Sequence, residues 1–134
     1  MSDKKYSPLI ARAKKVRKFA RAHYSNFKVG AALLTQDDEI ITGCNVESSS
    51  YGLSICAERV ALTKALSQGI SEFKAIAVYA QDGAICPPCG ACRQLLHDYA
   101  PNIDVVLSNG KNQTVIKLKE LLPLAFDESQ LGKK

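Results

Sequence analysis

The chain has 134 residues, 46% of them hydrophobic and 23% charged, with a net charge of +5. That length fits one domain, because two would each be too small to bury a good core, and the balance is that of a soluble globular protein rather than a disordered one. No apolar run is long enough to span a bilayer, and Met1-Ser2-Asp3-Lys4-Lys5-Tyr6-Ser7-Pro8 lacks the apolar stretch of a signal peptide, so a cytoplasmic protein without membrane contact is expected.

In chain order, Ser7-Pro8 reads as a helix start, with Ser at the cap and Pro where its missing N–H costs nothing. Leu9, Ala13, Val16 and Ala20 then recur at helical spacing and predict the inward face, with the helix fading near residues 23–26. Eight of the eighteen basic residues lie on or just before this helix. They are not interleaved with aromatic stacking platforms, so they are read as a solvated helix face, and nucleic acid is not expected as a partner. Residues 28–35 and 39–46 read as strands of a hairpin closed by Gln36-Asp37-Asp38. Residues 45–54 are polar and loop-like. A helix is predicted from Cys56 to about Gln68, ended by Gly69, then a buried strand over 73–80 and a loop over 81–88 closed by two prolines. Gly90 to Tyr99 is a further helix, 103–107 and 114–118 are strands, and 119–122 is a short helix before the tail. The result is an α/β layered domain around a mostly buried sheet. The last two strands are joined by a few residues containing Asn109-Gly110, too few for a parallel crossover, so this pair is predicted antiparallel. One domain is expected over 1–134, with a core of about 7–126 and a tail of 127–134.

Five cysteines stand at 44, 56, 86, 89 and 92. The odd count, with three in seven residues, fits a reduced metal site better than a disulfide scaffold. The chemistry concentrates in Cys56-Ala57-Glu58 and in Pro88-Cys89-Gly90-Ala91-Cys92. Cys89 and Cys92, three apart at a helix start, can grip one tetrahedral ion, and Cys56 supplies a third sulfur. Three protein ligands leave a fourth position for water, the pattern of a catalytic zinc. All three fall at predicted helix N-termini, where the peptide dipoles favour thiolate. Glu58 stands beside the site without being a ligand and is suited to move protons. Three thiolates on Zn2+ leave a net charge of about −1, so a donor to sulfur is needed, and Arg59 is the nearest candidate. The competing reading is a structural zinc with a fourth ligand from Cys86, Cys44, His23 or His97, which leaves Glu58 unexplained. Cys86 is read as a loop thiol and Cys44 as a buried small residue.

At these residues the chain resembles the cytidine deaminases, in their small single-domain form, over about residues 24–126. The resemblance is carried by Tyr24-Ser25-Asn26-Phe27-Lys28-Val29-Gly30, Gly43-Cys44-Asn45-Val46-Glu47, Cys56-Ala57-Glu58-Arg59, Pro88 to Gln94, and Leu121-Leu122-Pro123 with Phe126. It implies a three-layer α/β/α domain with a five-stranded mixed sheet and one Zn2+ per subunit on Cys56, Cys89 and Cys92. It also implies hydrolysis of cytidine and deoxycytidine to uridine and deoxyuridine with release of ammonia, as in pyrimidine salvage, with Glu58 catalytic. By the same resemblance Phe27 packs against the pyrimidine, Asn45 and Glu47 bind the ribose hydroxyls, and Ala57 touches the base through its backbone. Tyr51 and Phe126 resemble residues that reach a neighbouring subunit's site, which implies a homotetramer. Departures are His23 where Pro is frequent, Ser48-Ser49 after Glu47, and Pro87 where Ser is frequent. The alternatives are a deaminase of another cytosine nucleoside, such as a blasticidin-type antibiotic, and a nucleic-acid-editing deaminase that uses the basic first helix.

Overall fold

Pro8 fixes the first turn of helix α1, which spans Ser7–Arg17 in the computed structural model; residues 2–80 and 85–132 are described, so part of the predicted 81–88 loop lies outside them. Ser7 is already helical rather than a cap. Tyr6 holds that position with no side-chain cap bond, and a 3-10 helix over Ser2–Tyr6 runs straight into α1 in place of a cap. The helix also stops earlier than its apolar spacing predicts. The Arg21 amide donates to the Asn45 carbonyl at 2.9 Å and the Glu47 amide to the Arg21 carbonyl at 2.9 Å. A strand-like bridge therefore takes the backbone groups that a longer helix needs for itself.

Among the described residues, five strands follow the expected order with shifted ends: β1 Gly30–Thr35, β2 Ile40–Cys44, β3 Phe73–Tyr79, β4 Asp104–Ser108 and β5 Gln113–Lys117. They pair in the order β2-β1-β3-β4-β5. Only β3 and β4 run parallel, and helix α3, Gly90–Tyr99, makes their crossover. The β1–β2 hairpin is antiparallel, and so is the final pair, as the short connection requires.

The central strands are buried on both faces, hence their continuous apolar runs. On one face Leu9 and Ala13 of α1 pack with Ala32, Ala75, Ala77 and Val106. On the other, Leu33, Ile76, Val78 and Val105 pack with Ala61 and Leu62 of α2, Ala57–Ser67, and with Leu96 of α3. Helices on both faces make the three-layer α/β/α arrangement. Two glycines set the spacing. A Cβ on Gly30 would stand 2.0 Å from the Ala13 carbonyl oxygen, and one on Gly43 would stand 2.5 Å from the Ala61 nitrogen and 2.7 Å from the Ala57 oxygen. Strand β2 thus lies directly against the first turns of α2.

A short helix α4, Leu118–Leu121, follows β5, and a 3-10 helix forms over Glu128–Leu131 in the segment read as a tail. Asp127 caps it and lies 3.2 Å from His97 Nε2 on α3. Among the described residues no helix is long and apolar enough to cross a membrane.

Candidate metal centre

Helices α2 and α3 start on the same side of the sheet, and their first turns bring three thiols together. Cys56 is the N-cap of α2, Cys89 is the N-cap of α3, and Cys92 lies in the first turn of α3. Neither cap makes a side-chain bond to its helix, so both sulfurs remain available. The Cys56 and Cys89 sulfurs are 3.7 Å apart and those of Cys89 and Cys92 3.4 Å; all three lie within 4.8 Å of one another. A tetrahedron of zinc–sulfur bonds of about 2.3 Å has edges of about 3.8 Å. The donor set therefore fits one Zn2+ with a position to spare. Among the described residues this is the only group of three or more metal-ligating side chains. Cys86, Cys44, His23 and His97 stay outside it, so the four-ligand structural reading finds no fourth ligand. Cys44, expected to be buried, is half-buried at the end of β2.

Without a cation, three adjacent thiols cannot all ionise. The neighbouring Cys92 thiol lowers Cys56 to about 5, helped by Arg59, while the same interaction and burial push Cys92 up. Arg59 Nη2 lies 3.9 Å from Cys56 Sγ and 3.4 Å from the Ser54 carbonyl oxygen, and its Nε is buried without a partner. The cation is held where it offsets sulfur charge.

Glu58 sits in the first turn of α2 and is only 4% exposed. Burial raises its pKa to about 7; the Cys56 charge adds to this, and the backbone amide of Glu58 itself opposes it. Ala57, beside it, is fully buried.

Phe27, Asn45 and Glu47 gather in one hydrogen-bonded cluster. Asn45 Oδ1 accepts from the Val29 amide at 2.9 Å, and Nδ2 donates to the Phe27 carbonyl at 2.9 Å. Glu47 Oε1 accepts from the Tyr24 and Ser25 amides at 3.0 Å each, and Oε2 from the Ser25 hydroxyl at 2.5 Å. These bonds, the Ser25 hydroxyl first, hold the Glu47 carboxyl below the usual range. Both side chains therefore fasten the segment carrying Phe27, whose ring is 36% exposed. Tyr51 and Phe126 stand at the surface; Tyr51 meets Tyr24 edge-on, and the Phe126 carbonyl accepts from Gln94 Nε2 at 2.8 Å.

Arg93 has a part that the sequence reading did not give it. Its Nε donates to the Pro88 carbonyl at 2.9 Å and its Nη1 to the Leu121 carbonyl at 3.1 Å. It thus fixes the residue before Cys89 against α4. Position within the motif singles out Arg93, but its bond to Leu121 has no local signal.

The family described as "Cytidine and deoxycytidylate deaminase zinc-binding region" matches residues 3–108. The cytidine deaminase of Sporosarcina psychrophila is 46% identical over 129 residues, covering 92% of this chain and 93% of that one. The cytidine deaminase of Halalkalibacterium halodurans is 48% identical over 126 residues, covering 92% and 96%. The crystal structure of the cytidine deaminase from Burkholderia pseudomallei superposes with a TM-score of 0.86 at 50% identity, covering 89% of this chain and 97% of that chain.

Proposed function

Because the chain belongs to the cytidine deaminase family, we propose that it is the enzyme that hydrolyses cytidine and deoxycytidine to uridine and deoxyuridine, releasing ammonia. The observation that carries this reading is the convergence of three thiols at two helix starts beside one buried carboxyl. Zn2+, held by Cys56, Cys89 and Cys92, supplies a Lewis acid that makes a water nucleophilic at neutral pH.

The chain's own residues do the rest. Glu58 takes the proton of the attacking water, delivers it to the ring nitrogen next to the amine-bearing carbon, and passes the second proton to the departing amine. Burial among apolar neighbours supports this role, since it keeps the carboxyl's proton affinity above that of a solvated one. Arg59 offsets the surplus negative charge of the sulfurs. Phe27 packs on the pyrimidine, and the Ala57 backbone touches the base. Asn45 and Glu47 bind the ribose hydroxyls with the acceptor and donor capacity their backbone bonds leave over. Such polar groups select a nucleoside over the free base, because cytosine without its sugar leaves them unpaired. Tyr51 and Phe126 complete a neighbouring subunit's pocket in a homotetramer, in keeping with exposures of 77% and 56% for two large aromatic rings. The reaction serves pyrimidine salvage in the cytoplasm.

The test is ammonia release by zinc-loaded protein from cytidine, deoxycytidine, cytosine, adenosine, blasticidin S and a cytosine-containing oligonucleotide. Release from the two cytosine nucleosides alone, abolished by a zinc chelator and restored by Zn2+, is the expected result. Zinc-loaded protein that releases no ammonia from either nucleoside would overturn the reading; release from blasticidin S or the oligonucleotide would then identify the substrate instead.

A further inference from the structure

Charge is unevenly divided along this chain. Nine lysines and arginines and not one acid lie between Asp3 and Asp37, whereas acids outnumber bases in the remainder. Arg12, Lys14, Lys15 and Lys18 are exposed along α1 and its end, and among the described residues none of them has an ion-pair partner. The aromatic that the stripe lacks in the sequence reading is Phe19. It lies one residue past the α1 C-cap, 63% exposed, with Lys18 Nζ 5.3 Å from its ring centre. Helical spacing and the turn that follows α1 put Arg12, Lys15, Val16 and Phe19 on one side, where with Thr42 of β2 they line a shallow cavity of about 340 Å³. This cavity lies on the α1 side of the sheet, and the three thiols lie with α2 and α3 on the other.

We propose that this groove binds single-stranded nucleic acid, with phosphates on Arg12 and Lys15 in the groove and on Lys14 and Lys18 along the exposed face of α1 beside it, and a base stacked on Phe19. The pairing of the two features selects this partner. A row of unpaired cations fits a polyanion, and an exposed ring of large area within the row adds an attraction for a base that a duplex keeps inside its own stack. A bare cation row would take any polyanion alike. The bound strand lies on the far face from the metal centre of the same subunit, so it is held there and not deaminated there.

The experiment is fluorescence anisotropy of labelled oligothymidylate of about 20 nucleotides, longer than the roughly 4–16 of a single site, titrated with the full-length zinc-loaded protein at several salt concentrations. Thymine has no exocyclic amine, so the deaminase reaction does not intrude. Binding should weaken with salt at a log–log slope of about −3, the release expected when about four phosphates of a single strand are neutralised. Arg12→Glu combined with Lys15→Glu should weaken binding strongly and flatten that slope. Phe19→Ala should weaken it about tenfold at an unchanged slope, the signature of lost stacking. Cytidine turnover should be unchanged in both variants, which also reports that they fold. The proposal is overturned if no binding occurs at low salt, if Phe19→Ala binds like the parent, if duplex DNA or heparin binds as tightly as the strand, or if thymidine monophosphate alone binds as tightly.

Discussion

In the proposed reaction Glu58 and the three cysteines divide the labour at the site, and single substitutions should separate their parts. Glu58→Gln keeps the size and the helix start but removes the ionisable carboxyl that takes up and releases the proton. It should retain zinc and the fold while turnover falls by about a factor of 10² to 10⁴ or more. Zinc content by elemental analysis and the rate of ammonia release measure the two effects, and a variant with parental turnover would refute the proton role. Cys89→Ala takes away the sulfur that lies near both others, at 3.7 and 3.4 Å. It should lose metal first and activity as a consequence, so its zinc stoichiometry should fall well below one per chain. At this scale the sequence is legible in part: spacing in a helix's first turn pairs Cys89 with Cys92, whereas Cys56 joins them because α2 and α3 start on the same side of the sheet. Asn45 and Glu47 were only half legible. Their residue types suit hydroxyl recognition, but their bonds to residues 24–29 depend on a loop that folds back across the end of β2.

Among the elements, the contact between β2 and α2 bears most directly on function. Gly43 leaves no room for a Cβ beside Ala57 and Ala61, and Ala57 adjoins both Cys56 and Glu58. Gly43→Ala must push α2 outward from its first turn. Overpacking of this kind costs about 1–3 kcal/mol, and here the displaced turn carries a sulfur and the carboxyl. A lower unfolding temperature together with weaker zinc retention is expected, measured by thermal unfolding and by transfer of zinc to a chromogenic chelator. A variant that loses stability while retaining zinc as the parent does would show that the turn is not held from β2. Helix α3 matches its predicted span of Gly90–Tyr99, since proline before it and the apolar period within it are both local. Helix α1 was overread at its end, because Arg21 is drawn into a bridge with residues 45–47.

Across the whole molecule, the two ends of the domain are joined through Asp104. Tyr6 donates to its Oδ2 at 2.5 Å, and Lys117 Nζ lies 2.9 Å from its Oδ1. Burial works against the carboxylate, but the Lys117 ammonium and the Tyr6 hydroxyl outweigh it and hold the carboxyl below the ordinary range. Burial and the Asp104 bond push Tyr6 up to about 12. The stabilisation from Asp104 is therefore fully present above a free aspartate's 3.8 and is lost as the pH falls through the lower folded value. That from the Tyr6 hydroxyl is present below 10 and is lost as the pH rises toward 12. Asp104→Asn should unfold a few degrees below the parent at pH 7, with the gap closing on acidification below the carboxylate range. Thermal unfolding at stepped pH measures this, and a gap that stays constant into acid would show that charge at Asp104 contributes nothing.

The sequence by itself determined the order of elements, the antiparallel final pair, and the placing of Cys89 with Cys92 at one helix start and of Glu58 beside Cys56 at another. Each of these rests on periodicity, connection length or spacing within one or two turns of chain. Only the tertiary structure decided where α1 ends, how closely Gly43 lets β2 approach α2, which carbonyls Arg93 ties together, and that Phe19 stands bare among cations on the face away from the metal centre. Those outcomes depend on partners far apart along the chain, brought together when both faces of the sheet are covered. Local pattern specifies which groups are available, and packing chooses which of them meet.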